Sequence, residues 1–352
     1  MLQLMQAKKW NQCFLLAGLI GCAASFFGYQ AIPASYACAA ENHTSAVSDG
    51  KDKVLGNRQE YSFAEYIKRV KAGWDSKHLD QALEDANHLV SLRPQDPRGY
   101  LLRAATYAQM QKYQESLEDC NKTLQLAPKV AEAYVMRGAV YSAQGDFPRA
   151  LADYQQAVAL KPNNVKVHND LAGVYGHLKQ YDQEIAESDQ VLRLDPKNAL
   201  AYMYKGTAYG EKKDYIKALE NFNKVIDLSA DKNMLYVGQS MRAYAYTKMK
   251  KFDLALADYN QAIALQPNRE LAYSYRGYMY VDQGKYDKAV GDFDHAIRLD
   301  KKSARAYAGR ATAYQKLGRN DDARKDAEQA LSLQKNNKEA AKVLKELKAK
   351  KK

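Results

Sequence analysis

The residues that constrain this chain most are those that return every 34 places. Laying Ala131 to Asn164 over its neighbours gives eight registers: 63 to 96, 97 to 130, 131 to 164, 165 to 198, 199 to 232, 236 to 269, 270 to 303 and 304 to 337. Asn233, Met234 and Leu235 are inserted between the fifth and sixth. The eighth place is compact throughout, from Val70, Ala104 and Gly138 to Gly277 and Ala311. The eleventh is tyrosine in every register but the first, where Gly73 stands. Alanine dominates the twentieth place, as in Ala82, Ala150, Ala218, Ala255, Ala289 and Ala323. The twenty-seventh is Leu89, Thr123, Ala157, Val191, Val225, Ala262, Ala296 and Ala330. Leucine fills the thirtieth place from Leu92 to Leu333, and Pro94, Pro128, Pro162, Pro196 and Pro267 follow two places later. A period of this length marks units that bury a core only by stacking on their neighbours.

Within each period, apolar and aromatic residues recur at helical spacing on either side of a turn-rich break such as Gln144, Gly145, Asp146 or Gln283, Gly284, Lys285, so each period holds two helices. Pro148 falls in the first turn of a second helix, where its missing N–H removes no hydrogen bond. The small residues let paired helices approach closely, and the tyrosines fill the wedge between them with rings buried and hydroxyls wet. That recurrence makes architecture the main reading of the 27 Tyr, set against 8 Phe, with ligand contact the minor one. With 46% hydrophobic residues, 27% charged residues and only 8 Pro, collagen, a disordered tail and a multi-span membrane protein all fit poorly.

The period, small residues, tyrosines and terminal prolines together resemble the tetratricopeptide repeat, over residues 63 to 337. The resemblance implies an all-α, right-handed superhelical solenoid of antiparallel helix pairs. Here that means eight 34-residue repeats, with residues 338 to 352 as a lysine-rich capping helix and tail. It also implies a concave groove for a peptide or protein and, as a rule, no catalysis or cofactor. The family pattern turns the second, fifth, ninth, twelfth and thirteenth residues of each first helix inward. Those are Leu101, Ala105, Gln109, Val135, Ala139 and Ser142, then Asn169, Gly173, His177, Met203, Thr207 and Glu211, then Ser240, Tyr244, Lys248, Ser274, Tyr278, Asp282, Thr312 and Lys316. The early lining is small and apolar, the later one polar and aromatic, with Tyr244 and Tyr278 as candidate anchors for an extended peptide or a helix. The Lys and Asn pair by which chaperone-binding relatives hold a C-terminal carboxylate is missing: Val135 and Ala139, Asn169 and Gly173, Met203 and Thr207 stand there instead.

Several places depart from the pattern. The fourth repeat has Glu184 where alanine is expected and carries Gly173 and Gly176 within its first helix, each weakening the helix by ~1 kcal/mol relative to alanine. Either Glu184 rotates toward solvent in a drifted repeat, or the repeat is a flex point or a site of close ligand approach. The fifth repeat ends in Ala230 and precedes the insertion, where a change of superhelical phase is expected. The first repeat, with Gly73 and Trp74, diverges as an end repeat does.

Ahead of the repeats, Lys8 and Lys9 precede an apolar stretch from Cys13 to Tyr29, the layout of a secretory signal and short for a membrane span. Residues 1 to 40 therefore read as a signal peptide or an N-terminal membrane or lipid anchor, and 41 to 62 as a polar linker. Cleavage fits near Ala37, Cys38 and Ala39. The run Leu19, Ile20, Gly21, Cys22 resembles a bacterial lipobox with Cys22 as the lipidated residue, and an uncleaved anchor is the third alternative. Each places the repeats outside the cytoplasm, in the periplasm, secreted or membrane-anchored. Cleavage near Ala39 leaves Cys120 alone, so no intramolecular disulfide can form.

Chemistry has little to attach to. His43, His78, His88, His168, His177 and His295 show no zinc-ligand spacing, and there is no phosphate-binding glycine loop or nucleophile elbow. His177 reads as an exposed side chain or a hydrogen-bonding group of the groove. Acid pairs such as Glu118 and Asp119 fit solvated helix faces. The net charge is +12, and from Lys335 onward eight lysines face Glu339 and Glu346. Those lysines suit a helix C-terminus and the open end of a solenoid, or an anionic lipid, polymer or partner. Acids are interspersed with the bases in every repeat, so a nucleic-acid track is not expected. The functional expectation is a non-catalytic protein- or peptide-binding scaffold of the bacterial envelope. The alternative is a structural spacer or assembly subunit of an envelope or secretion complex that uses repeat edges and ends.

Overall fold

The structure is a computed structural model and describes residues 61–349. The expected signal or anchor region with Cys22, nearly all of the linker and the last three lysines lie outside the described residues. Every regular element within them is helical, and none of the helices is long and apolar enough to cross a membrane. The chain forms two compact units that meet in sequence between Leu178 and Lys179.

The first unit contains α1 (Phe63–Asp75), α2 (Leu79–Leu92), α3 (Pro97–Gln109), α4 (Tyr113–Leu126), α5 (Ala131–Ala143), α6 (Phe147–Leu160) and α7 (Val165–His177). The second contains α8 (Tyr181–Leu194), α9 (Ala199–Glu211), α10 (Tyr215–Leu228), α11 (Lys232–Lys248), α12 (Phe252–Leu265), α13 (Glu270–Asp282), α14 (Tyr286–Leu299), α15 (Ala304–Lys316), α16 (Asn320–Leu333) and α17 (Lys338–Ala349). Within each unit a first helix packs on the second helix of its own repeat and on that of the repeat before it, which is the packing of a solenoid of antiparallel pairs. α17 takes the place of a ninth first helix, burying Ala340, Val343 and Leu347 against α15 and α16, as expected of a cap.

Several helices start where the sequence supplies a side-chain oxygen for their free N–H groups, whereas α2, α4, α5, α8, α12, α13, α14 and α16 have no side-chain cap. Ser62 forms a capping box with Glu65, and Asp96, Asn164, Asp214 and Ser303 accept from the first turns of α3, α7, α10 and α15. The first helices end in a left-handed residue at the fifteenth place of the repeat. This is Gly145, Gly284 or Gly318 in three repeats, but Lys77, Gln111, Lys179, Lys213 or Lys250 in the others, at φ between 59 and 63°. The N–H that follows closes the turn onto the tyrosine carbonyl of the eleventh place, as from Lys112 to Tyr107 at 2.8 Å and Asp214 to Tyr209 at 2.9 Å. The insertion after the fifth repeat is absorbed by lengthening α11 to 17 residues from a cap at Asp231.

The small eighth place is a notch for a ring at the twenty-fourth. A Cβ on Gly206 would stand 2.6 Å from Phe222, and Phe293 is held between Gly277 and Gly309, whose added Cβ atoms would meet it at 2.8 and 2.3 Å. Tyr154, Phe222, Tyr259 and Phe293 are consequently the large rings at the centre of the core, each at most 2% exposed. The eleventh-place tyrosines are mostly half-buried.

A second ladder is polar. The seventh place of the first helix is Arg in most repeats, and its guanidinium forks onto the Asp sixteen residues later: Arg69 on Asp85, Arg103 on Asp119, Arg137 on Asp153, Arg242 on Asp258, Arg276 on Asp292 and Arg310 on Asp326. From the third nitrogen it reaches back to the preceding repeat, as Arg103 does to Asn87, Arg137 to Asn121, Arg242 to Asn223, Arg276 to Asn260 and Arg310 to Asp294. These forks tie second helix to first helix and repeat to repeat with charge-assisted bonds. Asp119, expected on a solvated face, is therefore buried under Arg103 at 6% exposure.

The fourth repeat departs from both ladders. Its seventh place is Leu171, in the apolar core, and the fifth repeat keeps only a lysine contact, Lys205 to Asp189 at 2.7 Å. Glu184 is not turned to solvent: it is 0% exposed. Its neighbour one turn on is the buried Ser188, a place that is small also in the first, second and eighth repeats as Ala86, Cys120 and Ala327.

Candidate functional site

The same register positions recur along the first helices, but their side chains decide how much surface remains. In the first unit Leu101, Ala105, Val135 and Ala139 are at most 4% exposed and belong to the core. Asn169, at 8%, is nearly enclosed too, with its Oδ1 unpaired. Met203 and Thr207 are likewise enclosed within the second unit, at 0 and 1%. These residues, expected to line a groove, are enclosed by packing in this structure. His177 is neither exposed nor a groove hydrogen-bonder: it stacks on Phe147 at 4.2 Å with an interplanar angle of 8°. Burial there pulls its pKa down to about 4, so the ring is neutral at pH 7.

The accessible candidates gather in the second unit. Lys248, Asp282 and Lys316, each at the thirteenth place, are exposed. Tyr244 and Tyr278, at the ninth, are half-buried with enclosed hydroxyls. Tyr244 packs 5.6 Å from Tyr275 and carries Lys248 Nζ 5.0 Å from its ring centre. Burial pushes its hydroxyl above the usual tyrosine range, and the neighbouring Tyr215, Glu211 and Asp282 push the same way. Tyr278 stands edge-on to Phe293 at 5.1 Å. Arg305 lies 5.1 Å over the Tyr275 ring. The first helices α11, α13 and α15 thus present phenol rings among separate positive and negative groups, a surface suited to side chains of mixed character.

At the start of this unit Glu184 and Glu211 form a second feature that sequence reasoning did not assemble. Thr207 Oγ1 lies 3.3 Å from Glu184 Oε1 and 2.7 Å from the main-chain oxygen of Tyr204, while Glu184 Oε2 has no partner. Tyr181 donates to Glu211 at 3.3 Å. Burial holds both carboxyl groups above their ordinary range, Glu184 far above it. A neutral Glu184 can donate its own proton to Thr207, which resolves the contact without a counter-ion.

No other chemistry converges. Among the described residues no three His, Cys, Asp or Glu side chains could hold a metal ion, and the free Cys120 is buried with its thiol pKa pushed up by desolvation. Buried thiols of that kind are unreactive.

Tetratricopeptide-repeat models match residues 97–163, 141–207, 199–232, 238–269 and 304–337, and a model described as TPR repeat matches 277–318. The chain belongs to the tetratricopeptide repeat family. Its fold is similar to the crystal structure of a tetratricopeptide repeat protein from Parabacteroides merdae, with TM-score 0.58 and 20% identity over 71% of this chain and 98% of that one. It is also similar to a chain of the APC/C hetero-tetramer Cut9–Hcn1, with TM-score 0.57 and 17% identity over 76% of this chain and 52% of that one. At those identities the likeness concerns the fold alone. Comparison with curated proteins gave no match. Tetratricopeptide repeats are typically non-catalytic scaffolds that bind proteins, and this chain has that scaffold.

Proposed function

We propose that the protein is an exported, non-catalytic scaffold whose second unit binds a peptide segment of an envelope or secretion partner along the inner face of α9 to α15. The observation that carries this reading is the register of Tyr244, Lys248, Tyr278 and Asp282, which gives α11 and α13 the same pairing of a half-buried phenol with an exposed charge one turn later. Aromatic anchors with flanking charge suit a short segment that must be both gripped and oriented. Affinity capture from envelope extract tests it. The wild-type chain is expected to retain a partner that the Tyr244→Ala, Asp282→Lys variant loses, and equal recovery by a folded variant removes the inner face from the account. The export reading rests on Lys8, Lys9 and the apolar run after them. Intact mass separates an unmodified N-terminus near Ala40, a lipid-modified Cys22 and an uncleaved chain.

The exposed Lys335, Lys338, Lys342, Lys345 and Lys348 support an additional contact with an anionic envelope surface. Such a contact weakens as salt shortens the Debye length from about 30 Å at 0.01 M to about 8 Å at 0.15 M. Sedimentation with anionic vesicles across that salt range, by wild type and by a chain with these lysines changed to glutamine, reads it directly.

A further inference from the structure

The cap helix does more than cover apolar surface, because one of its acids reaches across two repeats. Glu339, in the first turn of α17, places its carboxyl group between hydroxyls of two other helices. Tyr278 of α13 donates to Oε2 at 2.7 Å, and Thr312 of α15 donates to Oε1 at 2.8 Å. Farther along the helix, Gln315 donates to Glu346 at 3.0 Å. The Glu339 carboxyl is largely desolvated and has no ion-pair partner within contact distance, so burial raises its pKa. Lys342 and Asp282 act on it only at longer range, with opposite sign. Arg305 is near enough to the Tyr278 hydroxyl to favour negative charge there.

The two hydroxyls each have a second acceptor. Tyr278 Oη lies 3.0 Å from the main-chain oxygen of Arg305, and Thr312 Oγ1 lies 3.1 Å from that of Ala308. If Glu339 withdraws, both protons turn to these oxygens, and no buried donor is left unpaired. A buried pair without such alternatives is held in place by the desolvation cost of the orphaned group. Here that cost is absent on the hydroxyl side, while the carboxylate regains its hydration. The seat can therefore exist in two satisfied states, one filled by Glu339 and one empty.

We propose that Tyr278 Oη and Thr312 Oγ1 form a carboxylate seat that α17 fills with its own Glu339, so that an acidic peptide segment gains the far end of the inner face by replacing it. The choice of an acidic occupant follows from the group that fills the seat now and from the longer-range positive charge of Arg305 and Lys342, which Asp282 offsets only in part. The inference rests on the inner face being the binding surface, and deepens that reading by naming what its far end takes.

The test uses the full chain and N-acetyl-tetraglutamate amide as the probe, followed by calorimetry at low salt. Glu339→Ala is expected to bind the probe about tenfold more tightly than wild type, equivalent to ~1.4 kcal/mol. Adding Tyr278→Phe and Thr312→Val returns the affinity to the wild-type level. Hydrogen exchange supplies the second readout: Tyr278→Phe with Thr312→Val speeds exchange across residues 338 to 349 and leaves α11 and α12 unchanged, which also shows that the variant is folded. Equal affinities for wild type and Glu339→Ala overturn the proposal, as does a gain that survives loss of both hydroxyls. The probe reads the seat whether or not envelope extract yields a partner, so failure of the seat and failure of the binding surface are seen separately.

Discussion

In the second and third repeats, within the first unit, the ninth places carry Ala105 and Ala139, and the surface they would offer is closed by packing; in the second unit Thr207 is closed as well, while Tyr244, Tyr278 and Thr312 of the last three repeats stay partly open. The thirteenth places of those repeats differ in the same sense, with Gln109 and Ala143 against the exposed Lys248, Asp282 and Lys316, although the end repeat carries an exposed Asp75 and the fifth a half-buried Glu211. The backbone repeat, the Arg–Asp forks and the left-handed turns are common to both. On the proposed reading, binding capacity in this solenoid is set by two register positions, while the rest of the repeat is occupied with holding the helices together.

If that division is right, substitutions in the common framework act alike in both units. Arg137→Ala and Arg276→Ala each leave a carboxylate that is no more than 8% exposed, Asp153 or Asp292, without its partner. Each is expected to cost about 3 kcal/mol in denaturant unfolding. A loss confined to one unit breaks the comparison. Gly309→Ala forces a Cβ to 2.3 Å from Phe293 and should cost ~1 to 3 kcal/mol by thermal unfolding, against a gain of ~1 kcal/mol in helix propensity.

Glu184 sharpens the contrast between regular and irregular repeats. Its folded pKa is raised, so its favourable contribution is complete below the unfolded value near 4.5 and is lost as pH rises through the folded value. Glu184→Gln is therefore expected to stabilise the chain at pH 8 by about 1 to 3 kcal/mol, with the difference shrinking toward pH 4; a difference independent of pH contradicts a buried, titrating Glu184. The smallest effect belongs to the turns. Lys213 sits at φ 63°, where glycine carries no steric penalty, so Lys213→Gly should raise the unfolding midpoint by the equivalent of about 1 kcal/mol. The same change at Lys77 tests whether the two units share that turn.

Much of this was legible in the sequence because a 34-residue register averages out local ambiguity: the helix pairs, the turn at Gly145 and the cap from Ala340 to Leu347 follow from spacing alone. Two things did not. The Arg–Asp forks lie sixteen residues apart across a turn, so no helical periodicity signals them, and Asp119 looks like any surface acid. The groove candidates at the fifth place failed for a related reason. A family register says which places recur, but not that neighbouring side chains enclose Leu101, Val135 and Met203. Glu184 misled because charge at an alanine position suggests solvent, whereas the structure encloses it and pairs it with Thr207. His177 could have been placed by the aromatic at Phe147, thirty residues earlier, the same offset that joins Tyr181 to Glu211.

The most direct measurement of the central claim is site-specific photo-crosslinking in envelope extract, with a benzoyl-phenylalanine placed in turn at Lys248, Asp282 and Lys316, at Gln109 in the first unit, and at Ile216, which is 65% exposed on a second helix. The account predicts one partner adduct from the three positions of the second unit's inner face and none from Gln109 or Ile216. Adducts of equal yield from Ile216, or from Gln109 alone, contradict it.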